Sequence, residues 1–358
     1  MSYATFTLKQ LQDAVEPHTA VETAACGSSG AILATEQGAR LLGLFPDKDL
    51  PNVLWVHEEV GKQYGEGNWL VGGERLWIAP ERTFYYENPR DFEGFHVPAD
   101  IDPGNYTASS GMIYESAYSL FDLDTNKVYD DTRARRRFAV IADPFATGLP
   151  CAAVRIEDSI AVQSTALPFC AWTLAMVYTC GTAAPGTVLF PIRAGGRLLS
   201  YFSPIPGERA EVLDGYARFR IDGAAVYKLA IAPEDFVTAN ACRTVYVSRY
   251  PCADTWFCVI KRCAQMPQSQ SECVDIPKGD PVGRRGAIQS YNSGPSDLSP
   301  VVLPFGELEL QLPRAVPDHQ RAISRATHEL LAYAGSRTQI LGLAAEALGL
   351  ATPPRLYE

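Results

Sequence analysis

The sequence predicts an all-β protein of large antiparallel sheets, with a short helix near the N-terminus and helices near the C-terminus. Short runs rich in Val, Ile, Tyr and Phe recur along the middle of the chain. Gly, Pro, Asp and Asn separate these runs, as is typical of β-strands. The runs do not alternate with helical segments of about 10–15 residues, which argues against a doubly wound α/β fold. Apolar residues at helical spacing appear only near the two ends.

The first predicted element is an amphipathic helix over residues 7–16. Thr7 and Gln10 have capping-box spacing, and Leu11 and Val15 fall on one apolar face. A β-hairpin follows at about 30–45, where two apolar runs are joined through Glu-Gln-Gly at 36–38.

Further strands are predicted in the central part of the chain. They lie at residues 52–56, 138–142, 153–156, 160–165, 171–179, 188–193, 216–221, 226–231, 244–248 and 256–261, with a turn at 157–158 joining two of them. The stretch 264–300, rich in Gln, Ser, Pro and Gly, predicts a long loop.

Two helices are predicted at the C-terminal end, over residues 318–334 and 339–348. The first carries Ile323, Ala326, Leu330 and Leu331 at helical spacing, and Gly335 interrupts the pattern. We therefore expect an N-terminal helical segment (1–22), one β domain (23–316) and a C-terminal helical extension (317–358).

Composition excludes several functional classes. The chain has 358 residues, 41 acidic and 31 basic, for a net charge of −10. An acidic protein lacks the Lys and Arg clusters that nucleic-acid phosphates require. The single short basic cluster, Arg133 with Arg135, Arg136 and Arg137, is interpreted as a solvent-exposed turn. No apolar run is long enough to span a membrane and no signal peptide is recognisable, so we expect no membrane association and a cytoplasmic location.

The nine cysteines contain no Cys-x-x-Cys pair. Their spacing predicts neither a zinc site nor a closed disulfide framework, and buried free thiols are expected. One disulfide within 242–273 stays open as an alternative.

Known cofactor and catalytic motifs are absent. The sequence has no Gly-x-Gly-x-x-Gly, Walker, His-Glu-x-x-His or Gly-x-Ser-x-Gly motif, and its five histidines are not paired at metal-ligand spacing. No cofactor and no metal are predicted. A divalent ion held by Glu74, Glu81, Glu307 and Glu309 stays open, although their spacing does not argue for one.

The densest group of polar and aromatic residues lies at 71–81 and comprises Glu74, Arg75, Trp77 and Glu81. Carboxylates and a guanidinium suit sugar hydroxyls, while a flat aromatic side chain suits the C–H side of a sugar ring. The alternative is structural: an ion pair involving Arg75, with Trp77 in the core.

A second group follows at 289–295 and 305–313. On a strand, Glu307, Glu309 and Gln311 would share one face, because side chains alternate with period two. An ordinary solvent-facing strand would show the same alternation.

Several of these segments resemble the galactose-mutarotase-like superfamily, most closely its uncharacterised bacterial members, over about residues 24–320. The segments are Gly-Ala-Arg-Leu-Leu-Gly-Leu at 38–44, Asn-Val-Leu-Trp at 52–55, Gly-Gly-Glu-Arg-Leu-Trp-Ile-Ala-Pro-Glu at 72–81, Ala-Trp-Thr-Leu at 171–174, Tyr-Lys-Leu at 227–229, Gln-Ser-Tyr-Asn-Ser-Gly-Pro at 289–295 and Glu-Leu-Glu at 307–309. The resemblance implies a β-supersandwich that binds carbohydrate.

The resemblance also implies roles for particular residues. Aldose 1-epimerases of the superfamily use a glutamate base in a Leu-Glu-x-Gln context, which Glu309 matches, with Glu307 close by. Arg75 lies where the superfamily has a sugar-binding arginine. The candidate substrate-binding residues are Arg75, Glu74, Trp77, Glu81, Trp172, Tyr291, Asn292 and Gln311.

The superfamily's histidine acid has no counterpart in the strand Trp-Thr-Leu at 172–174. Ring opening needs an acid as well as a base. His96, Tyr178 and Glu81 are the alternatives for the acid.

The sequence thus predicts an epimerase-like enzyme acting on a small sugar. Lyase or hydrolase chemistry on the same scaffold, a non-catalytic carbohydrate-binding protein and a purely structural sandwich are the alternatives. The net charge of −10 favours a small neutral sugar over a polyanionic polymer.

Overall fold

The computed structural model describes residues 5–237, 241–251, 254–280, 282–295 and 303–358. Its α-helices are α1 (Leu8–Val15), α2 (Val60–Gly65), α3 (Glu81–Tyr85) and α4 (Arg337–Leu348), and single 3-10 turns lie at Gln37–Ala39 and Gln270–Glu272. The strands, in chain order, are β1 (Val21–Cys26), β2 (Gly30–Thr35), β3 (Arg40–Phe45), β4 (Glu74–Ala79), β5 (Tyr86–Asn88), β6 (Glu93–Phe95), β7 (Thr107–Ser109), β8 (Ile113–Asp122), β9 (Lys127–Val140), β10 (Cys151–Val162), β11 (Cys170–Tyr178), β12 (Gly186–Pro191), β13 (Leu198–Ser200), β14 (Ala210–Val212), β15 (Tyr216–Ile221), β16 (Tyr227–Ile231), β17 (Cys242–Arg249), β18 (Trp256–Arg262), β19 (Ile288–Asn292), β20 (Phe305–Gln311), β21 (Val316–Asp318) and β22 (Arg321–Gly335).

Two large antiparallel sheets account for most strands. The first sheet has nine strands in the order β1-β2-β3-β4-β11-β20-β19-β16-β13. The second has eleven, in the order β14-β15-β12-β17-β18-β22-β10-β9-β8-β7 with β21 paired to β22, and β5 and β6 form a separate hairpin. The predicted fold class, all-β with large antiparallel sheets and flanking helices, is confirmed.

One hydrophobic core joins the two sheets. It includes Leu76 and Leu308 from the first sheet and Ile156 and Val259 from the second, all fully or almost fully buried. We call the face of the first sheet that meets this core the inner face, and the opposite face the site face. Because strand side chains alternate, neighbouring residues of β4, β11 and β20 point to different faces.

The first predicted elements are confirmed. Helix α1 has the predicted capping box between Thr7 and Gln10, and it buries Leu11 and Val15. Strands β2 and β3 pair as the predicted hairpin.

The prediction of a helix over 318–334 is wrong, because these residues form β22, which lies between β18 and β10 in the second sheet. The buried face of β22 includes Ser324 and His328 among its apolar residues. These two polar residues on the inward face interrupt the alternation of apolar and polar residues that is typical of a strand. The remaining apolar residues happen to lie at helical spacing. The second predicted C-terminal helix is present as α4.

Two predicted turns lie inside strands. Residues 157–158 do not turn but continue β10, and the basic cluster at 133–137 belongs to β9. Arg136 is fully buried while Arg133 and Arg137 are exposed. The local sequence does not predict that an arginine on a strand is buried, because the residues that pair with it lie on distant strands.

Smaller differences concern irregular segments. Residues 52–56 make only isolated bridges, from Leu54 to Val177 and from Val56 to Gly72. The predicted loop 264–300 contains β19, and residues 281 and 296–300 of it lie outside the described residues.

The thiols of Cys258, Cys263 and Cys273 are free and buried, and Cys252 lies outside the described residues. In the described part of the chain, no helix combines the length and apolarity needed to cross a bilayer.

Candidate functional site

The candidate site lies where five neighbouring strands of the first sheet place polar and aromatic side chains on the site face. One cross-strand row contains Arg75, Leu174 and Glu309, and the next contains Trp77 and Trp172 beside Gln311. Strand register therefore brings together residues from distant parts of the chain, from Arg75 on β4 to Gln311 on β20.

Arg75 is the centre of this arrangement. Its Nη2 donates to Glu307 Oε1 at 2.7 Å, and its guanidinium lies 4.3 Å from the ring centroid of Trp77. Only 3 % of Arg75 is exposed, yet its Nε and Nη1 have no hydrogen-bond partner. Two guanidinium nitrogens are therefore left for a bound molecule.

Glu309 is completely buried and lies in the same cross-strand row as Arg75, on the other side of Leu174. Its Oε2 accepts from Trp172 Nε1 at 3.1 Å and lies 3.2 Å from Lys228 Nζ, whereas Oε1 has no partner. Burial raises the pKa of the Glu309 carboxyl, as do the nearby carboxylates of Glu307 and Glu81, although Lys228 opposes the shift.

Lys228 joins Glu309 to Glu81. Its Nζ donates to Glu81 Oε2 at 2.7 Å and lies 4.4 Å from the ring centroid of Trp172. Burial disfavours the charged amine, but the carboxylates of Glu309 and Glu81 outweigh it and raise the pKa of Lys228.

Asp275 completes the charged groups. It accepts from the backbone N–H of Glu81 at 3.2 Å and from Gln289 Nε2 at 3.4 Å, and burial raises its pKa. Sequence reasoning missed Lys228, Asp275 and Gln289 as site residues. A signal existed for Lys228, because it is a charged residue inside an otherwise apolar strand and belongs to the Tyr-Lys-Leu segment.

Aromatic side chains surround these charges. Trp77 stacks on Tyr85 with ring centroids 4.7 Å apart and meets Trp172 edge-on at 5.6 Å. The Trp77 indole donates to Asp102 Oδ2 at 2.8 Å, and Asp102 is paired with Arg40. Trp77 is thus held in place by a neutralised carboxylate.

Several buried polar atoms of the site have no hydrogen-bond partner. Native proteins leave few such atoms, and each requires an explanation. On the site face they are Arg75 Nε and Nη1, Gln289 Oε1, Glu309 Oε1, and Gln311 Oε1 and Nε2. Together they offer donors and acceptors to one ligand.

Glu74 is not brought into this group. It lies on the inner face, where its Oε2 accepts from Arg136 Nη2 at 2.6 Å and Lys261 Nζ is 3.8 Å from Oε1. Arg136 also binds Asp158, which in turn contacts His328 Nε2 at 2.9 Å. We call Glu74, Arg136, Asp158, Lys261 and His328 the inner cluster.

The inner cluster supports the strands of the site from below. Lys261 Nζ donates to the backbone carbonyls of Thr173 (3.1 Å) and Leu308 (3.2 Å), and burial lowers the pKa of its amine to about 8. Thr173 and Leu308 are the neighbours of Trp172 and Glu309 in their strands.

Three other candidates also lie apart. His96 is exposed and its Nδ1 is 3.3 Å from Gly94 O. Asn292 is fully buried and its side chain bonds the backbone of Asp222, Gly223 and Ala225. Tyr178 packs with Trp55 and Phe305 instead.

Tyr291 does reach the site, since it contacts Phe305 and Phe202 and neighbours Glu307 in the adjacent strand.

The carboxylates do not form the four-glutamate metal site that was left open. Glu74 faces away from the other three, while Arg75 and Lys228 already pair with Glu307 and Glu81. Among the described residues, Glu74, Asp158 and His328 have ligand atoms within 4.8 Å of one another, but Arg136 pairs with both carboxylates.

No family model and no curated protein sequence matches this chain. Solved structures that are similar to it include a galactose mutarotase-like protein from Lactobacillus casei, with 11 % identity, 88 % of this chain and 99 % of that chain covered, and a TM-score of 0.41. An aldose epimerase homologue from C. elegans has 11 % identity, coverage of 89 % and 99 %, and a TM-score of 0.40. A galactose mutarotase-like protein from Clostridium acetobutylicum has 8 % identity, coverage of 90 % and 100 %, and a TM-score of 0.37.

Proposed function

We propose that the protein binds a small neutral sugar on the site face and changes it by acid/base chemistry of the aldose-epimerase type. Arg75 orients the sugar, and Glu309 or Glu307 is the base. The unpartnered donors and acceptors of Arg75, Gln289, Glu309 and Gln311 carry this proposal, because a polyhydroxylated ring supplies partners for both kinds of atom. Trp77 and Trp172 provide apolar surface for the C–H face of the ring.

A non-catalytic sugar-binding protein is the second candidate. The exposure of His96 favours it, because none of the five histidines is among the contacts of Arg75, Glu307 or Glu309 described above. Without a histidine, catalysis requires another group as acid.

Gln311→Leu separates sugar binding from folding. Both polar atoms of this side chain lack a partner within the protein, so the apolar variant loses no internal hydrogen bond. We expect aldoses to raise the melting temperature of the wild type but not of Gln311→Leu. Gln320→Leu, at an exposed position next to β22, is the control and should respond like the wild type.

Anomer exchange by NMR across a panel of aldoses then tests the reaction. Accelerated exchange supports the enzyme, and thermal shifts without exchange favour the binding protein. The absence of both effects with every sugar contradicts the proposed function.

A further inference from the structure

The charged groups on the site face include more carboxyls than cations. Arg75 and Lys228 are the cations, and Glu81, Asp275, Glu307 and Glu309 are the carboxyls; we call these six the site cluster. None of them is more than 6 % exposed. With every carboxyl ionised, the site cluster would carry a net charge of −2, which is unfavourable away from water.

The two cations are already engaged by two of the carboxylates. Arg75 is 2.7 Å from Glu307, and Lys228 is closer to Glu81 (2.7 Å) than to Glu309 (3.2 Å). Glu309 therefore shares its cation, and Asp275 receives only neutral donors.

Glu309 and Glu307 thus differ in environment although they lie two residues apart on one strand face. Glu307 has a guanidinium of its own, which stabilises the carboxylate. Glu309 is 0 % exposed and has one oxygen, Oε1, without a donor. A proton on Oε1 would remove one unit of excess charge and turn this oxygen into a donor.

We propose that Glu309 is protonated at neutral pH and is the acid of the reaction, while Glu307 is the base. The catalytic part of this inference rests on the proposed function, whereas the protonation of Glu309 is a property of the protein alone. The two carboxyls would replace the glutamate and histidine expected from the sequence resemblance.

The step balances in protons and electrons. Glu307 takes the proton of the anomeric hydroxyl, the O–H electron pair forms the carbonyl, the bond from the anomeric carbon to the ring oxygen breaks, and Glu309 gives its proton to that oxygen. Rotation and the reverse step on the other face of the carbonyl return both protons. The Cα atoms of the two glutamates are about 7 Å apart along the strand, so both side chains can reach one sugar ring.

Charged and titratable groups approach Glu309 from every packed element. They are Glu307 on its own strand, Lys228 on β16, Tyr291 on β19, Glu81 on α3 and Lys261 on β18. Arg75 on β4 lies in the same cross-strand row beyond Leu174, and Asp275, in the segment before β19, accepts from Gln289, which pairs with Glu309. Raised pKa values of Glu309 and Asp275 agree with the charge count.

Infrared spectroscopy tests the protonation without any sugar. With isotope-labelled glutamate, the carbonyl band of a protonated glutamic acid is expected at neutral pH, and the label separates it from Asp275. The band should disappear in Glu309→Gln and persist in Glu307→Gln. With isotope-labelled aspartate, Glu309→Asp should show a protonated carboxyl band in addition to any band that Asp275 gives in the equally labelled wild type. Absence of the glutamic acid band in the wild type, or its persistence in Glu309→Gln, overturns the inference.

Kinetics test the catalytic roles with whichever aldose the NMR panel identifies. Each glutamine variant should lower kcat by about 10²–10⁴-fold. The residual activity of Glu309→Gln should no longer fall at high pH, because the acid is missing. The residual activity of Glu307→Gln should no longer fall at low pH, because the base is missing. The opposite assignment of the two limbs overturns the roles. If the band is present but no aldose is bound or exchanged, the proposed function fails and the catalytic roles fail with it, while the protonation of Glu309 stands.

Discussion

The two faces of the first sheet both bury charged residues, but they do so differently. On the inner face, the carboxylates of Glu74 and Asp158 are matched by Arg136 and Lys261, and the guanidinium of Arg136 bonds both. On the site face, two cations meet four carboxyls, and the unpartnered atoms of Arg75, Gln289, Glu309 and Gln311 accompany them. The inner face has unpartnered atoms as well, Glu74 Oε1 and His328 Nδ1, so the charge balance is what distinguishes the two faces. Balanced charge is typical of a structural network, whereas an excess of buried carboxyls is typical of a functional site.

The largest effect on stability is expected from a substitution in the charge-balanced inner cluster. Arg136→Met removes the guanidinium that bonds both buried carboxylates, so the free energy of unfolding should fall by about 3–5 kcal/mol. Urea denaturation measures it. Arg135→Met is the matched control on the same strand, because Arg135 is partly exposed and pairs with Glu115; it should lose less than about 1 kcal/mol. Similar losses in the two variants would contradict the structural role of Arg136.

A pair of isosteric variants compares the faces directly. Glu74→Gln removes a charge from a balanced cluster and should lower the free energy of unfolding by about 1–3 kcal/mol. At pH 5, Glu309→Gln replaces a protonated carboxyl with a neutral amide of similar shape and should change it by less than about 1 kcal/mol in either direction. Both residues are fully buried, so exposure does not explain the difference. Equal losses in chemical denaturation would show that the clusters are electrostatically alike.

Stability should depend on pH in opposite directions on the two faces. Burial raises the pKa values of Glu309 and Asp275, so the folded chain binds more protons than the unfolded chain above the ordinary carboxyl pKa. Their contribution to stability is present at low pH and is lost as the pH rises through the raised pKa values. In the inner cluster, Arg136 and His328 outweigh the opposing effect of burial and lower the pKa of Asp158, so its contribution is lost as the pH falls.

Denaturation at several pH values measures the slope. Between about pH 5 and 7, the wild type should lose about 3–4 kcal/mol relative to the double variant Glu309→Gln, Asp275→Asn, because a carboxyl that stays protonated only in the folded chain contributes about 1.4 kcal/mol per pH unit. The single variant Glu157→Gln, on the exposed face of the second sheet, should keep the wild-type slope. If the double variant keeps the wild-type dependence of unfolding free energy on pH, the extra protons of the folded chain are bound by other groups.

The smallest effect concerns the histidine that the sequence suggested as acid. His96 is exposed and contacts only backbone, so His96→Asn should change stability by less than about 0.5 kcal/mol and leave sugar exchange unaltered. A loss of exchange of tenfold or more would identify His96 as the acid and remove that role from Glu309.

Sequence patterns predicted the sheets and most of the residues that the candidate site brings together, and the reasons are physical. Period-two alternation placed Glu307, Glu309 and Gln311 on one face, and the 71–81 segment contained Arg75 and Trp77. The same alternation argues that Glu74 faces the other way, yet grouping residues by proximity in sequence kept Glu74 with Arg75. The composition of a segment indicates which functional groups are available. The alternation of side chains along the strand decides which face of the sheet each group lies on.

The remaining residues depend on long-range pairing. Lys228 reaches Glu81 across 147 positions, and Asp275 meets the backbone of Glu81 across 194. Local periodicity has no access to such contacts. Strand β22 was predicted as a helix for a related reason. His328 and Ser324 face inward because Asp158 and the backbone carbonyl of Pro313 accept hydrogen bonds from them. Both partners lie outside β22, so the local sequence does not indicate them.

The place of β22 in the second sheet has a consequence for synthesis. Strands β10 and β18 leave the ribosome first, and each has an edge that only residues 321–335 cover. Until that segment emerges, the nascent chain exposes two long unpaired edges, which are the surfaces through which β proteins aggregate. The second sheet is therefore completed late in synthesis, and a chain stopped before residue 321 would keep both edges exposed.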